Sequence, residues 1–374
     1  MMKLLKIFFA IVACSSSFTY GARILIASPH GVKSHQNTYV PIAKELVRRG
    51  HHITILTNYA NKELNQLENV HEICIEELAV DVSKMFPNVF ESMTDPSVKV
   101  KMIFNLLKAL LSLPTLIIEA TYKDARVQQL MSSENFDLVM MTENCGPACY
   151  PLGWHFKAPT IVMSPNVLIP GRALSLGDDE HYSYVPFIFT SFTNKMSLYE
   201  RTVNYLSSKF FLILAREFLF YQADSILKRM IGQECPPAKE LEKNFSLVFT
   251  NTHPSFTYPR TLPPQVIEVG GIHCRPAKPL PEDLEAFVSS SDAGFLVFGV
   301  GSALKMDDMP EHVYQSFVET FSRLPQRVIW QWKGQPRSDL PKNVLAIPWL
   351  PQQDLLGNTV HISLRFIITE SQKP

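Results

Sequence analysis

The 374-residue chain is 46% hydrophobic and 19% charged, and its 35 Lys+Arg balance 35 Asp+Glu. That composition suits a globular protein with a core large enough for two domains and excludes a disordered chain. With no charge excess and no Lys/Arg-rich run, nothing points to nucleic acid.

Residues 1–22 set Lys3 and Lys6 beside a short apolar run and close on small residues. This reads as a secretory signal peptide over 1–21, cut after Gly21. The alternative, a transmembrane anchor, is opposed by the shortness of the apolar core. The expected location is the secretory pathway: the endoplasmic reticulum lumen, or outside the cell. Residues 103–118 carry Lys108 and Pro114, and 210–221 carry Arg216 and Glu217. These interruptions make both segments buried or surface-docked helices rather than membrane spans. Cys14 leaves with the signal, and Cys74, Cys145, Cys149, Cys235 and Cys274 remain without any CxxC spacing. No zinc site is expected, and disulfides in an oxidising lumen cannot be paired from the sequence. Asn244-Phe245-Ser246 is a glycosylation sequon.

"ARILIAS" (22–28) predicts a buried strand, and a loop containing His30 and His35 follows it. "TYVPIAKELVRRG" predicts a helix, with Val40, Ala43, Leu46 and Val47 on one face, Asn37 or Thr38 as cap, and Pro41 in the first turn. "HHITILTN" is the next strand, so the chain opens with a β-α-β unit. Residues 136–142 and 158–164 predict further strands, with a helix between them holding Tyr150, Leu152 and Trp154. Residues 180–240 read as mixed and helical, and 245–251 and 265–271 resume the strand pattern. A Pro-rich charged stretch beginning at 275 predicts an interdomain linker, taken as 276–292. The pattern then restarts: strands at 294–300, 326–332 and 343–347, a helix over 309–324, and a last strand at 365–369. The implied organisation is α/β throughout: an N-terminal domain over 22–275 and a partial second domain over 293–374.

Chemistry concentrates at a few positions. His35 follows the first strand, on the carboxyl edge where open α/β sheets bind ligands, and it precedes a helix whose dipole favours neutral imidazole. A neutral imidazole is a general base; a solvated loop histidine is the bland alternative, and His30 is the rival base. Glu143 ends the strand 136–142 and would emerge on the same edge, where a carboxylate could orient the histidine; an ordinary loop glutamate is the alternative. "VFGVGSAL" is neither GxGxxG nor a Walker sequence, yet its amides and Ser302 suit a diphosphate at a strand end, unless it is simply a tight turn. Trp349 offers a face for a base and Gln352 a donor–acceptor pair for its edge, against the plain reading of a core tryptophan. A nicotinamide oxidoreductase is excluded for want of GxGxxG and its downstream acid.

Together these pieces resemble the animal UDP-glycosyltransferases, the UDP-glucuronosyltransferase family. The segments that carry the likeness stand in order: "SHQNTYVPIAKELVRRGHHITILT", "SFTNKMSLYER", "TNTHPSFTYPRTLPPQVIEVGGIH", "FGVGS", "RLPQRVIWQWKG" and "WLPQQDLLG". The resemblance implies two Rossmann-like domains of the GT-B type, the first for a small lipophilic acceptor and the second, incomplete here, for a UDP-sugar. It implies inverting transfer of a hexose or glucuronic acid to an acceptor hydroxyl, with His35 as base. It aligns Glu143 near the supporting acid, although counting from "FD" gives Thr142, one residue earlier. Ser302 takes the diphosphate-contacting position, and Trp349 and Gln352 the uracil-binding ones. No metal and no cofactor is implied, because the UDP-sugar is a co-substrate. After Gly357 the family continues close to "HPKTRLFITHGG", then a glutamate and an Asp-Gln pair, whereas this sequence reads "NTVHISLRFIITESQKP". The alternative expectation is therefore a non-catalytic form that binds aglycone or pairs with full-length enzymes, without a C-terminal anchor and with at most peripheral membrane contact.

Overall fold

The structure is a computed structural model that describes residues 21–80, 89–92, 95–169, 171–187, 190–301 and 306–357. The expected signal peptide, the strand at 365–369 and Ser302 lie outside these residues.

The first layer alternates strand and helix. β1 (Arg23–Ser28), α1 (Val40–Arg48), β2 (His52–Thr57) and β3 (Val70–Cys74) are followed by the long α2 (Pro96–Lys123) and α3 (Ala125–Ser133). β4 (Leu138–Thr142), α4 (Tyr150–His155) and β5 (Thr160–Ser164) come next. α5 (Leu198–Phe211) then runs through one π-turn, Leu212–Glu217, into α6 (Phe218–Met230). β6 (Leu247–Thr250) and β7 (Val266–Glu268) complete a parallel sheet of order β3-β2-β1-β4-β5-β6-β7. The order reverses between β1 and β4, which pair directly with Ala27 opposite Met141. That reversal defines the topological switch point, where doubly wound sheets open a crevice at their carboxyl edge.

The strands read as continuous apolar runs because both faces are covered. Leu25, Ala27, Val139, Met141 and Val162 pack on one face, beneath Ile117 and Ile118 of α2. The intervening Ile24, Ile26, Met140 and Met163 pack on the other, with Tyr39 and Ala43. α1 starts as its spacing predicts, but neither expected cap is used. Its cap residue is Tyr39, and the Thr38 hydroxyl instead donates back to the His35 carbonyl at 2.8 Å.

Among the described residues the second sheet has the parallel order β10-β9-β8, formed by β8 (Phe295–Phe298), β9 (Arg327–Gln331) and β10 (Val344–Ile347). α7 (Glu282–Ser289), α8 (Glu311–Ser322) and α9 (Gln352–Gly357) cover it. α7 occupies much of the expected linker. Leu284 and Val288 pack with Phe295, Val297 and Ile329, so this stretch belongs to the second core and only the residues before it connect. On the other face Trp330 is fully buried and stacks on Tyr314 at 5.7 Å. All five described cysteines carry free thiols. Among the described residues no helix is long and apolar enough to cross a membrane.

Candidate active site

The turn after β1 carries both histidines. Asn58, at the end of β2 and 4% exposed, donates to the Gly31 and Leu78 carbonyls at 2.7 and 3.0 Å and so pins this turn to its neighbour. Gly31 has φ +138°, and a Cβ there would stand 2.6 Å from His35 Nδ1. Only glycine lets the 3₁₀ turn Lys33–Thr38 bring the imidazole so close. His35 is half-buried; its Nδ1 accepts from the Val32 N–H at 3.3 Å, leaving the neutral ring's proton on Nε2.

Burial, followed by the proximity of His30, lowers the His35 pKa from 6.5 to about 4. The neutral ring expected from the sequence is therefore present, but desolvation rather than a helix dipole is the leading cause. His30 also falls to about 4, because burial outweighs its hydrogen bond to the Leu78 backbone. It is 8% exposed and its Nδ1 has no partner among the described residues. His30 is thus the interior histidine and His35 the accessible one.

These depressed values make stability acid-labile. Each native ring stays neutral down to about 4, while the unfolded ring takes its proton near 6.5. Below that ordinary value the unfolded chain binds more protons, so stability is lost as pH falls through the window between the two. For His30 the shift corresponds to about 3 kcal/mol. We expect the urea midpoint to drop between about pH 7 and pH 4, and His30→Asn to flatten that slope. An unchanged slope in the variant would discount this buried ring.

Glu143 leaves β4 on the same edge, as its strand position implies, but its side chain turns away. Oε1 accepts from Arg172 Nη2 at 2.5 Å, Oε2 has no partner, and no hydrogen bond joins Glu143 to His35 among the described residues. The expected carboxylate–histidine contact is corrected accordingly. Arg172 is 2% exposed; it also reaches Tyr150 Oη at 2.8 Å and Glu242 Oε2 at 3.1 Å, and Glu242 pairs further with Arg216. A buried guanidinium demands partners, and Glu143 is the strongest within reach. Thr142, the position counted from "FD", is the residue that stays at the switch point. Its hydroxyl lies 3.1 Å from Ser28 Oγ and 3.2 Å from Cys145 Sγ.

The second sheet brings its candidates to its own carboxyl edge. Trp349, just past β10, is 70% exposed, so it is not a core tryptophan. Gln352 opens α9 and lines a narrow crevice with Val297, Gly299, Leu350 and Leu356. Gly299, which ends the "VFG" segment before Ser302, is closely approached: a Cβ there would meet Leu350 Cδ1 at 2.9 Å and Gln331 Oε1 at 3.1 Å. Gln331 is 7% exposed and its Oε1 has no partner among the described residues, so it joins this edge as a residue the sequence reading missed. Asn58 and Arg172 were missed as well. Asn58 carried a signal, a polar residue closing an apolar strand; Arg172 opens a one-turn helix, Arg172–Ser175, too short to show a periodicity.

Two parallel α/β sheets in sequence are the architecture of the GT-B fold. The solved structure of CalG4, the calicheamicin glycosyltransferase, shares this fold with TM-score 0.53 and 16% identity, covering 92% of this chain and 74% of that one. The chain belongs to the family described as UDP-glucoronosyl and UDP-glucosyl transferase, which it matches over residues 23–371. UDP-glucosyltransferase 2 of Dactylopius coccus is 29% identical over 93% of this chain and 66% of its own length. Human UDP-glucuronosyltransferase 1A9 is 26% identical over 95% of this chain and 66% of its own length. The chain thus spans just under two thirds of each relative.

Proposed function

We propose that this chain transfers a hexosyl or glucuronosyl group from a UDP-sugar to a hydroxyl of a small lipophilic acceptor, with inversion. The observation that carries the reading is His35: a neutral, half-buried imidazole at the switch point of the first sheet. It would take the acceptor proton as the oxygen attacks the anomeric carbon, and UDP would leave from the opposite face. Trp349 and Gln352 would hold the uracil and Ser302 the diphosphate. The family membership and the GT-B fold support the assignment of these roles. Incubation with labelled UDP-sugars and hydroxyl acceptors tests it; no transfer to any acceptor would refute it. We place the chain in the secretory pathway, on the reading of residues 1–21.

One observation favours a second reading, a non-catalytic form that retains aglycone binding. Glu143 is committed to Arg172, and among the described residues no carboxylate bonds to His35. UDP titration separates the two. Measurable UDP affinity that falls about 5- to 150-fold in Trp349→Ala supports a working donor site, since base stacking contributes about 1–3 kcal/mol. Fold should be untouched, because the ring is 70% exposed. No UDP binding by the unaltered chain would favour the non-catalytic form.

A further inference from the structure

α9 runs for only six residues, Gln352–Gly357, too few to hold a helix in water unaided. Two opposite faces of it are held from outside. At 100° per residue, Gln352, Leu355 and Leu356 span about 100° of arc, and Gln353, Asp354 and Gly357 span about 100° on the other side. The first three meet the second sheet. Leu355 is fully buried with Val297 and Leu350, and Gln352 and Leu356 line the crevice beside Gly299.

The other three meet the chain that leads out of the first domain. Gln353 Oε1 accepts from the Arg275 N–H at 3.0 Å, and its Nε2 donates to the His273 carbonyl at 3.2 Å. Asp354 takes the Arg275 guanidinium with both oxygens, Oδ1 from Nη1 at 2.6 Å and Oδ2 from Nη2 at 3.1 Å. Oδ1 also accepts from the Lys278 N–H at 2.8 Å. A two-pronged charged contact of this kind fixes orientation as well as adding strength. Arg275, and after it the Lys278 amide, hold the Asp354 carboxyl at about 2, so the pair is ionised at neutral pH. Gly357 lets the chain close in: a Cβ there would stand 2.6 Å from the Ala277 Cβ. Residues 273–278 therefore form a strap across α9. Its root is the carboxyl edge of the first sheet, where the Val269 and Gly270 N–H groups donate to the Thr250 and Thr252 carbonyls at 2.8 and 2.9 Å.

We propose that Gln353 and Asp354 are positioning residues for the UDP-sugar: by gripping the strap they hold α9 so that Gln352 faces the crevice at the second sheet's edge. The donor-binding glutamine thereby hangs from the carboxyl edge of the first sheet, the edge that carries His35, and one segment ties the two halves of the site together. The inference rests on the reading of Gln352 as a uracil contact.

Calorimetric titration of the 374-residue chain with UDP tests it. Asp354→Ala should weaken binding about tenfold, because the helix that presents Gln352 loses its grip on the strap. Arg275→Ala, which leaves α9 itself unaltered, should weaken binding in the same direction, so the result does not hang on one variant's folding. The urea midpoint should move little, since the Arg275–Asp354 pair lies at the surface. The deciding comparison is made in a Gln352→Ala background. A strap that acts through Gln352 leaves Asp354→Ala to cost less than about twofold more there, whereas independent sites would multiply their losses. Equal UDP affinity in parent and strap variants, or a further loss of about tenfold in the Gln352→Ala background, overturns the proposal and leaves the donor site standing. A parent that binds no UDP refutes the donor site itself, and the role given to the strap falls with it.

Discussion

Replacing His35 with alanine lowers kcat/KM for glycosyl transfer by about 10²- to 10⁴-fold, the usual contribution of a positioned general base. The thermal midpoint should move little, because the ring is half-buried and its Nδ1 makes one long bond, 3.3 Å from the Val32 N–H. The pH profile distinguishes a base from a merely structural histidine. With a pKa near 4, the acid limb of kcat/KM should lie well below the ordinary imidazole range near 6.5. A limb near 6.5 would mean that another group titrates, and full turnover by His35→Ala would remove the ring from the mechanism. The tautomer that the Val32 bond implies adds a constraint. To accept a proton on Nε2, the ring must first move its own proton to Nδ1 and give up the Val32 bond. The energetic cost is small for so long a bond, and Gly31, whose φ of +138° lets the turn sit against the ring, leaves no side chain in the way. Gly31→Ala should therefore reduce kcat nearly as far as His35→Ala, through displacement of the imidazole.

The fold was legible wherever apolar runs were bounded by polar turns. β1, β2, β4 and β5 were read within a residue or two, because strands covered on both faces need no alternation and appear as unbroken blocks. β3 was missed: "VHEIC" interleaves a charge and a histidine, and only pairing with β2 makes it a strand. The linker was overextended because "PEDLEAFVS" looks polar and prolyl until Leu284 and Val288 are seen to meet Phe295 and Ile329. At the site, strand position told which edge each residue would reach but not where its side chain would turn. His35 and Glu143 share an edge as expected. What separates them is Arg172, which lies 29 positions beyond Glu143 at the start of a one-turn helix, Arg172–Ser175, whose only sequence signal is one unmatched charge. Asn58 was hidden for the opposite reason, since its partners are backbone carbonyls that leave no mark on the sequence.

Arg172→Met should be the most destabilising single change outside the hydrophobic cores, at about 3–5 kcal/mol. The guanidinium is nearly sealed. Burial alone would lower its pKa, but Glu143 and Tyr150 outweigh that and hold the cation charged. Removing it strands the Glu143 carboxylate, 6% exposed with one oxygen already unpartnered, and leaves Glu242, 2% exposed, to Arg216 alone. An uncompensated buried charge costs more than the pair itself contributes, so the loss should far exceed that of any exposed ion pair, such as Arg323 with Glu319. Urea denaturation measures it. Arg172→Lys should recover little, because the two Nη atoms divide the work: Nη1 serves Glu242, while Nη2 serves Glu143 and Tyr150. Adding Glu143→Gln to Arg172→Met should return part of the loss, since a neutral amide tolerates the vacated site better than a carboxylate. If Arg172→Met cost under about 1 kcal/mol, the network would be solvated in the working protein. Glu143 would then be free to swing toward His35, and the carboxylate–histidine pair drawn from the sequence would regain its standing.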